Sequence, residues 1–366
     1  MKNRNYKIVK VLIFSILFLV SLFANINQID TQSNIPKKSV LSCTNFAAAI
    51  NETILFGNNE DGNFGHYLRE YPLSSQMFYF PAEADGHGCT FVGWLRDGYI
   101  RGVQGGMNDQ GLCYDLTGIP EAPMISHPEN PYRIGGNWIQ YDVLRQNANV
   151  SEAIDFLQNV NWEGPIWYQW FFADSSGDMV IVSPGPNGEL AFTRKVAGED
   201  GFLTQTNFNR ITNESEPGKF NWQRYEISTK MLNEIRNEEN LNVTAFNSIL
   251  EAIHFNKKLG FTGYSNVFDP INQMAYITFL SQFDKTVAVN VTTELSIPGY
   301  RAIPMTDYFS QETIDAGLSY FKDYKRRTAF VFVGLPVIGT ILLISGIVVA
   351  SFYTIRKLKR KKTAKN

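Results

Sequence analysis

Runs of alternating apolar and polar residues, broken by clusters of turn formers, fill the middle of this chain, and segments of helical period sit between them. Residues 44–50 form one β-prone run, Asn51 and Glu52 supply turn residues, and residues 53–56 form a second run, which together predict a hairpin. Residues 167–173, 179–182 and 189–193 read as short strands. Asp174-Ser175-Ser176-Gly177 and Pro184-Gly185-Pro186-Asn187-Gly188 separate them, so a meander is expected. Residues 274–279 and 286–291 predict another hairpin. Asn149 and Glu152 have the spacing of a helix N-cap, followed by Ala153, Ile154, Phe156 and Leu157 on one helical face. Further helices are predicted over residues 221–236 and 243–255, and residues 308–325 read as an amphipathic stalk. Antiparallel strand groups with helices inserted between them specify an α+β fold rather than alternating βαβ units.

The ends of the chain follow a different pattern. Residues 11–24 are an apolar run of about 14 behind a cationic start, the length of a signal-peptide core and short of the roughly 20 that span a membrane. The segment 1–24 is therefore expected to be a signal peptide or, if left uncut, an anchor. Residues 25–42 are polar and aperiodic, as in a linker or propeptide. Residues 328–353 are 26 positions without a charge, containing Pro336 and Gly339, and predict a transmembrane helix. The basic tail, residues 354–366, places that end in the cytosol by the positive-inside rule and the body outside the cell. The expected order is thus 1–24, linker 25–42, a catalytic domain over 43–305, a stalk over 306–327, the span 328–353 and the tail.

Charge sharpens this division. The net charge of the 366-residue chain is −2, but 11 of its 33 Lys and Arg lie before residue 11 or from 356 onward, leaving 22 against all 35 Asp and Glu in between. So acidic a body excludes nucleic acid as a partner, since binding it needs phosphate-neutralising cations. With 44% hydrophobic and 19% charged residues, disorder is excluded too. Five Asn-x-Ser/Thr sequons, at Asn51, Asn149, Asn213, Asn242 and Asn290, are compatible with an exterior domain. Of the three cysteines, Cys89 and Cys113 can pair to leave Cys43, or all three are inert buried thiols.

Nucleotide-binding glycine patterns, His-Glu-x-x-His and Cys-x-x-Cys are missing, and His66, His87, His127 and His254 are scattered, so neither a cofactor nor a metal is expected. Cys43 opens the first hairpin, and Gly57-Asn58-Asn59-Glu60-Asp61-Gly62 lies at its far end. A cut between Ser42 and Cys43 would give Cys43 a free α-amine beside its thiol. With an ordinary pKa near 7.7–8.0, that amine can act as base for its own sulfur without a histidine. Uncut, Cys43 is a small buried residue at a strand start.

Cys43-Thr44-Asn45-Phe46 and Gly57-Asn58-Asn59-Glu60-Asp61 resemble the opening of the choloylglycine hydrolase and penicillin V acylase group, which includes acid-ceramidase-like amidases and isopenicillin-N acyltransferase-like proteins. Matching pieces follow in order: Gly105-Gly106-Met107-Asn108-Asp109-Gln110-Gly111-Leu112, Ala173-Asp174-Ser175-Ser176-Gly177-Asp178, Leu203-Thr204-Gln205-Thr206-Asn207-Phe208, Arg224-Tyr225 and Tyr264-Ser265-Asn266-Val267-Phe268-Asp269. The resemblance implies an αββα sandwich of two antiparallel sheets and self-cleavage before Cys43, whose thiol then attacks a substrate amide. It implies that Asp61 orients the nucleophile, Asn207 donates to the oxyanion and Arg224 supports the thiol electrostatically.

Asn58 stands where bile-salt hydrolases have an arginine, with Asn59 beside it. Gly118 stands where they have an oxyanion-hole asparagine, so a backbone N–H is expected to serve there. These differences point away from a bile acid and toward another small-molecule N-acyl amide. Trp138, Trp162, Trp167, Tyr168, Trp170, Phe171 and Phe172 are candidates either for an apolar acyl site or for strand core. Hydrolysis of a linear amide, acyl transfer from the same acyl-enzyme, and a non-catalytic surface binding domain of the same fold are the readings left open.

Overall fold

The computed structural model describes residues 43–63, 73–84, 86–96, 99–133, 139–162, 164–212, 219–255, 260–329 and 335–363. The signal segment and linker expected over residues 1–42 lie outside the described residues.

Six strands build one antiparallel sheet: β1 (Thr44–Ile50), β2 (Thr53–Asn63), β12 (Gly201–Thr206), β13 (Gly260–Asp269), β14 (Met274–Phe279) and β15 (Val287–Asn290), ordered β12-β1-β2-β13-β14-β15. A second sheet has eight. Its members are β3 (Ser75–Phe80), β4 (Cys89–Arg96), β5 (Tyr99–Asn108), β6 (Cys113–Ala122), β9 (Ile166–Ala173), β10 (Met179–Pro184), β11 (Leu190–Lys195) and β16 (Arg301–Pro304). They run β11-β10-β9-β6-β5-β4-β3-β16, again antiparallel. A short parallel pair, β7 (Tyr132–Arg133) and β8 (Val160–Asn161), stands apart.

Strand alternation sorts the side chains into layers. From β1 and β2, Ala47, Ala49, Ile54 and Phe56 face the second sheet and meet Met77, Tyr79, Val92, Met107 and Phe171 in the central core. The opposite faces carry helices. Phe46, Ala48 and Leu55 pack beneath α3 (Lys219–Glu234) and α4 (Val243–Ile253), which contribute Leu232, Phe246, Ile249, Leu250 and Ile253. Phe78, Phe91, Tyr114, Trp170 and Phe172 pack beneath α1 (Ile139–Gln146) and α2 (Val150–Gln158). Two antiparallel sheets between helical layers are the expected αββα arrangement.

Local chemistry explains the elements. Asn149 caps α2 by accepting from the backbone N–H of Glu152, and Asn242 caps α4 in the same way. Asn51 takes a left-handed φ of 51° in the two-residue turn that joins β1 to β2. The strands predicted over residues 167–193 form the antiparallel meander β9-β10-β11. A short α5 (Val291–Leu295) precedes α6 (Gln311–Ala329), whose Ile314, Leu318 and Phe321 pack on the central core. The amphipathic pattern of that segment is what lays it against the domain.

Two expectations change. All three cysteines are free and buried. Cys89 faces the α1/α2 layer and Cys113 the central core, on strands with β5 between them. Side chains on opposite faces of a sheet and two strand spacings apart, about 9–10 Å, are beyond disulfide reach, so the Cys89–Cys113 bridge is ruled out. The aromatic run is core rather than an acyl site: Trp162, Trp170 and Phe172 lie under α1 and α2, Tyr168 packs beside them, and Phe171 meets Phe56 centrally. Trp167 is exposed, and Trp138 lies outside the described residues.

Among the described residues no helix is long and apolar enough to cross a membrane. Of the run predicted to span, the first residues end α6, residues 330–334 lie outside the described residues, and the rest belongs to α7 (Leu335–Thr363), which continues into the basic tail.

Candidate active site

Cys43 immediately precedes β1 and is 1% exposed. The two-residue turn after Ile50 pairs Ile50 with Thr53 and Thr44 with Asn59, and one step further the same register sets Cys43 beside Glu60. Both side chains point between the sheets, and the Cys43 thiol donates to Glu60 Oε2 at 3.3 Å. Asn45 and Asn58 follow on the same face, with Asn58 Nδ2 donating to Asn45 Oδ1 at 2.6 Å and Asn45 Nδ2 to Gln205 Oε1 at 3.1 Å. Across the sandwich Asp115, on β6, reaches toward this group. The Leu116 N–H donates to its Oδ1 at 2.6 Å, and its Oδ2 is buried without a hydrogen-bond partner among the described residues. A Cβ on Gly105 would come within 2.2 Å of Asp115 Oδ2, so the glycine makes room for this carboxyl.

The other face of β1 and β2 holds a cation. Phe220, Arg224, Ser228 and Leu232 recur at four-residue spacing along α3 and turn one stripe of that helix toward the sheet. Arg224, 1% exposed, donates from Nη1 to the Cys43 carbonyl at 2.9 Å, to Thr44 Oγ1 at 2.5 Å and to Asp61 Oδ2 at 3.2 Å. From Nη2 it donates to Asn207 Oδ1 and Asn221 Oδ1, both at 2.9 Å. Its guanidinium lies over the Phe220 ring at 4.8 Å. Thr262 donates its hydroxyl to the second Asp61 oxygen. It can do so beside a bulge, where the β2–β13 register shifts between Thr262 and Tyr264. Such irregularities re-aim side chains next to functional sites.

Four residues named from sequence, Cys43, Asp61, Asn207 and Arg224, therefore meet in one hydrogen-bonded group, although residues 61 to 207 separate two of them. Asn58 lies on the sulfur's side of the sheet. Asn59 lies on the other, tying β2 to Leu250 O of α4 at 2.8 Å and accepting from Ser265 at 2.5 Å. Gly118 enters through its carbonyl, which accepts from Asn207 Nδ2 at 2.8 Å, rather than through the N–H expected of it. A primary amide has two N–H groups, and this bond uses one. Sequence reasoning missed Glu60, Asp115, Thr262 and Asn221. Strand alternation and the Asn51-Glu52 turn already put Glu60 beside Cys43. Asp115 and Thr262 carry no such local signal.

Burial pushes the Cys43 thiol well up, and the carboxyls of Glu60 and Asp61 add to it. Burial likewise raises Glu60 to about 8, with the thiol hydrogen bond opposing. It raises Asp61 to about 7 against the pull of Arg224, Thr262 and a backbone bond from Phe255. Asp115 is held well above the usual carboxylate range by burial and by Glu60. Arg224, with its fan of oxygen acceptors, is the fixed cation, since a guanidinium does not deprotonate in proteins. The arrangement supplies a nucleophile, proton acceptors and oriented donors around one main-chain carbonyl. No group of His, Cys, Asp and Glu able to hold a metal occurs among the described residues.

Comparison with known proteins places this geometry. The family described as acyl-coenzyme A:6-aminopenicillanic acid acyl-transferase matches residues 49–282, a stretch that takes in Asp61, Asn207 and Arg224. Among curated proteins, none matches the chain in sequence. Two variants of conjugated bile acid hydrolase from Clostridium perfringens share its fold, each with a TM-score of 0.55 over 73% of this chain and 98% of the other, at 17% and 16% identity. Penicillin V acylase from Agrobacterium tumefaciens matches with a TM-score of 0.50 over 72% of this chain and 91% of its own, at 16% identity. With the family match spanning more than half its length, this chain belongs to the acyl-coenzyme A:6-aminopenicillanic acid acyl-transferase family, and it shares the fold of conjugated bile acid hydrolase and penicillin V acylase.

Proposed function

We propose that this chain is an exported, membrane-anchored amidase that cuts itself before Cys43 and then hydrolyses a linear N-acyl amide through a Cys43 thioester. The observation that carries the proposal is the Arg224 guanidinium, which binds the Cys43 carbonyl, Asp61 and Asn207 at once. A buried cation with those partners fixes the nucleophile's main chain from the side opposite its sulfur.

After the cut, the Cys43 amine serves as base and the thiol attacks the substrate carbonyl. An Asn207 N–H then donates to the oxyanion, a contribution of about 10²–10³ in rate. The amine of the substrate leaves, and water hydrolyses the thioester. Asp61 and Arg224 hold the nucleophile in place, and no cofactor is needed. On the sulfur's side of the sheet stand Asn45, Asn58 and Glu60, with Asp115 across the sandwich, a polar set that favours a polar acyl group over a steroid. Acyl transfer to an amine is the second reading, favoured by the acyl-transferase family match and by the burial of the thiol.

Anchoring rests on residues 328–353, whose 26 uncharged positions have the length of a span. On α7 the side chains of Ile338, Ile341, Leu342, Leu343, Ile347, Val349 and Phe352 are exposed around the helix, as lipid contact requires. The basic tail would then be cytosolic and the catalytic domain outside.

N-terminal sequencing of the purified chain beside Cys43→Ala tests the reading. The wild type is expected to begin at Cys43 and the variant to keep its upstream residues. A wild-type chain that keeps Ser42 would overturn both the self-cleavage and the assignment of the nucleophile.

A further inference from the structure

Self-cleavage raises a chemical difficulty that turnover does not. In the mature enzyme the free amine of Cys43 can take the thiol proton, but before the cut that nitrogen is a peptide nitrogen and has no basic lone pair. Another group must accept the proton while sulfur attacks the Ser42 carbonyl. The thiolate cannot simply form beforehand, since burial and the neighbouring carboxyls hold the thiol far above its ordinary pKa.

The acceptor in contact with the sulfur is Glu60, whose Oε2 takes the thiol hydrogen bond at 3.3 Å. Backbone register sets the two residues side by side, and both are buried, which keeps the pair free of competing water. The other candidates are otherwise engaged. Asp61 faces the opposite side of the sheet and binds Arg224 and Thr262. Asp115 comes from the facing sheet, takes the Leu116 N–H on Oδ1, and is not the acceptor to which the Cys43 thiol donates.

We propose that Glu60 is the general base of self-cleavage, a catalytic residue for maturation rather than for turnover. Its Oε2 takes the proton from Cys43 Sγ as the sulfur bonds to the Ser42 carbonyl carbon. The Ser42–Cys43 C–N bond then breaks, the departing Cys43 nitrogen takes that proton, and a thioester links Ser42 to the sulfur. Water hydrolyses the thioester, which frees the upstream segment with a carboxylate at Ser42 and regenerates the thiol. The step rests on the self-cleaving reading above.

Glu60 faces Cys43 just before β1, Tyr264 opposite it on β13 and Asp115 from β6, while Asp61 beside it on β2 turns to the other face and Tyr114 of β6 to the helical layer. In that setting its carboxyl titrates near 8, so it becomes a competent base as pH rises through neutrality. The test follows cutting of the full-length chain over time after cell-free synthesis, by mass spectrometry of the new N-terminus, between pH 6 and 9.5. Wild-type cutting is expected to accelerate with pH around a midpoint near 8. Glu60→Gln, nearly the same shape without the base, is expected to cut at least about 100-fold more slowly and to lose the pH response. Glu60→Asp keeps the response at a reduced rate.

Cutting by the Gln variant at the wild-type rate overturns the proposal and leaves the self-cleaving reading intact. A flat wild-type profile overturns it as well, and decides the matter even if the Gln variant does not fold. A wild-type chain that stays whole at every pH refutes self-cleavage itself, and Glu60 has no such role.

Discussion

Arg224 shows how much of this site depends on one buried cation. Its partners come from β1, β2, the segment after β12 and its own helix, and all accept hydrogen bonds from the two terminal nitrogens of the guanidinium. A lysine would offer a single point charge and could not fan across them. In the uncut Cys43→Ala chain, Arg224→Met is expected to cost about 3–5 kcal/mol, because it strands the Asp61 carboxyl without its counter-charge. Denaturant unfolding measures this, and adding Asp61→Asn should recover part of the loss. A loss under about 1 kcal/mol would mean that the ion pair is not what holds these elements together. The sequence marked Arg224 and Asp61 only through a motif resemblance. Nothing local in either segment shows that they touch, since the contact joins an element at residue 61 to one at residue 224.

At the scale of elements, hairpin and sheet order decide which side chains share a face. The tight turn at Asn51 and Glu52 fixes the pairing of β1 and β2, and this alone brings Glu60 to the sulfur. That relation was legible in the sequence, because a two-residue turn determines register. The failure of the Cys89–Cys113 bridge was not legible, because it follows from sheet order and the parity of strand positions. Gly105 belongs to the same level: β5 passes so close to Asp115 of β6 that no side chain fits between them. Gly105→Ala is expected to destabilise the domain by about 1–3 kcal/mol, read as a lower midpoint of denaturant unfolding. Adding Asp115→Ala should relieve it. An unchanged midpoint in the single variant would show that the carboxyl moves aside at no cost.

For the whole molecule, the αββα layering places the Cys43 thiol between the sheets and the Arg224 guanidinium between sheet and helices. The same strand pair, β1 and β2, thus presents the Cys43–Glu60 contact on one face and the Arg224–Asp61 ion pair on the other. Beyond the domain, the apolar surface of α7 carries the proposal of anchoring. The full chain mixed with phospholipid vesicles is expected to float with them in a density gradient, and a chain ending at residue 329 to remain at the bottom. Flotation of neither would remove the anchor from the proposal.

What the amino-acid order determined by itself was the local grammar: strands and helices, the caps at Asn149 and Asn242, and a hairpin that opens at Cys43 with Glu60 across from it. Hydrophobic period, capping and turn chemistry act over a few residues and need no partner from elsewhere in the chain. Only the tertiary structure decided that Arg224 grips the Cys43 carbonyl, that Asp115 arrives from the second sheet, and that Gly118 meets Asn207 through its oxygen. Those contacts arise from packing whole layers together, which sets distances between groups that no spacing along the chain encodes.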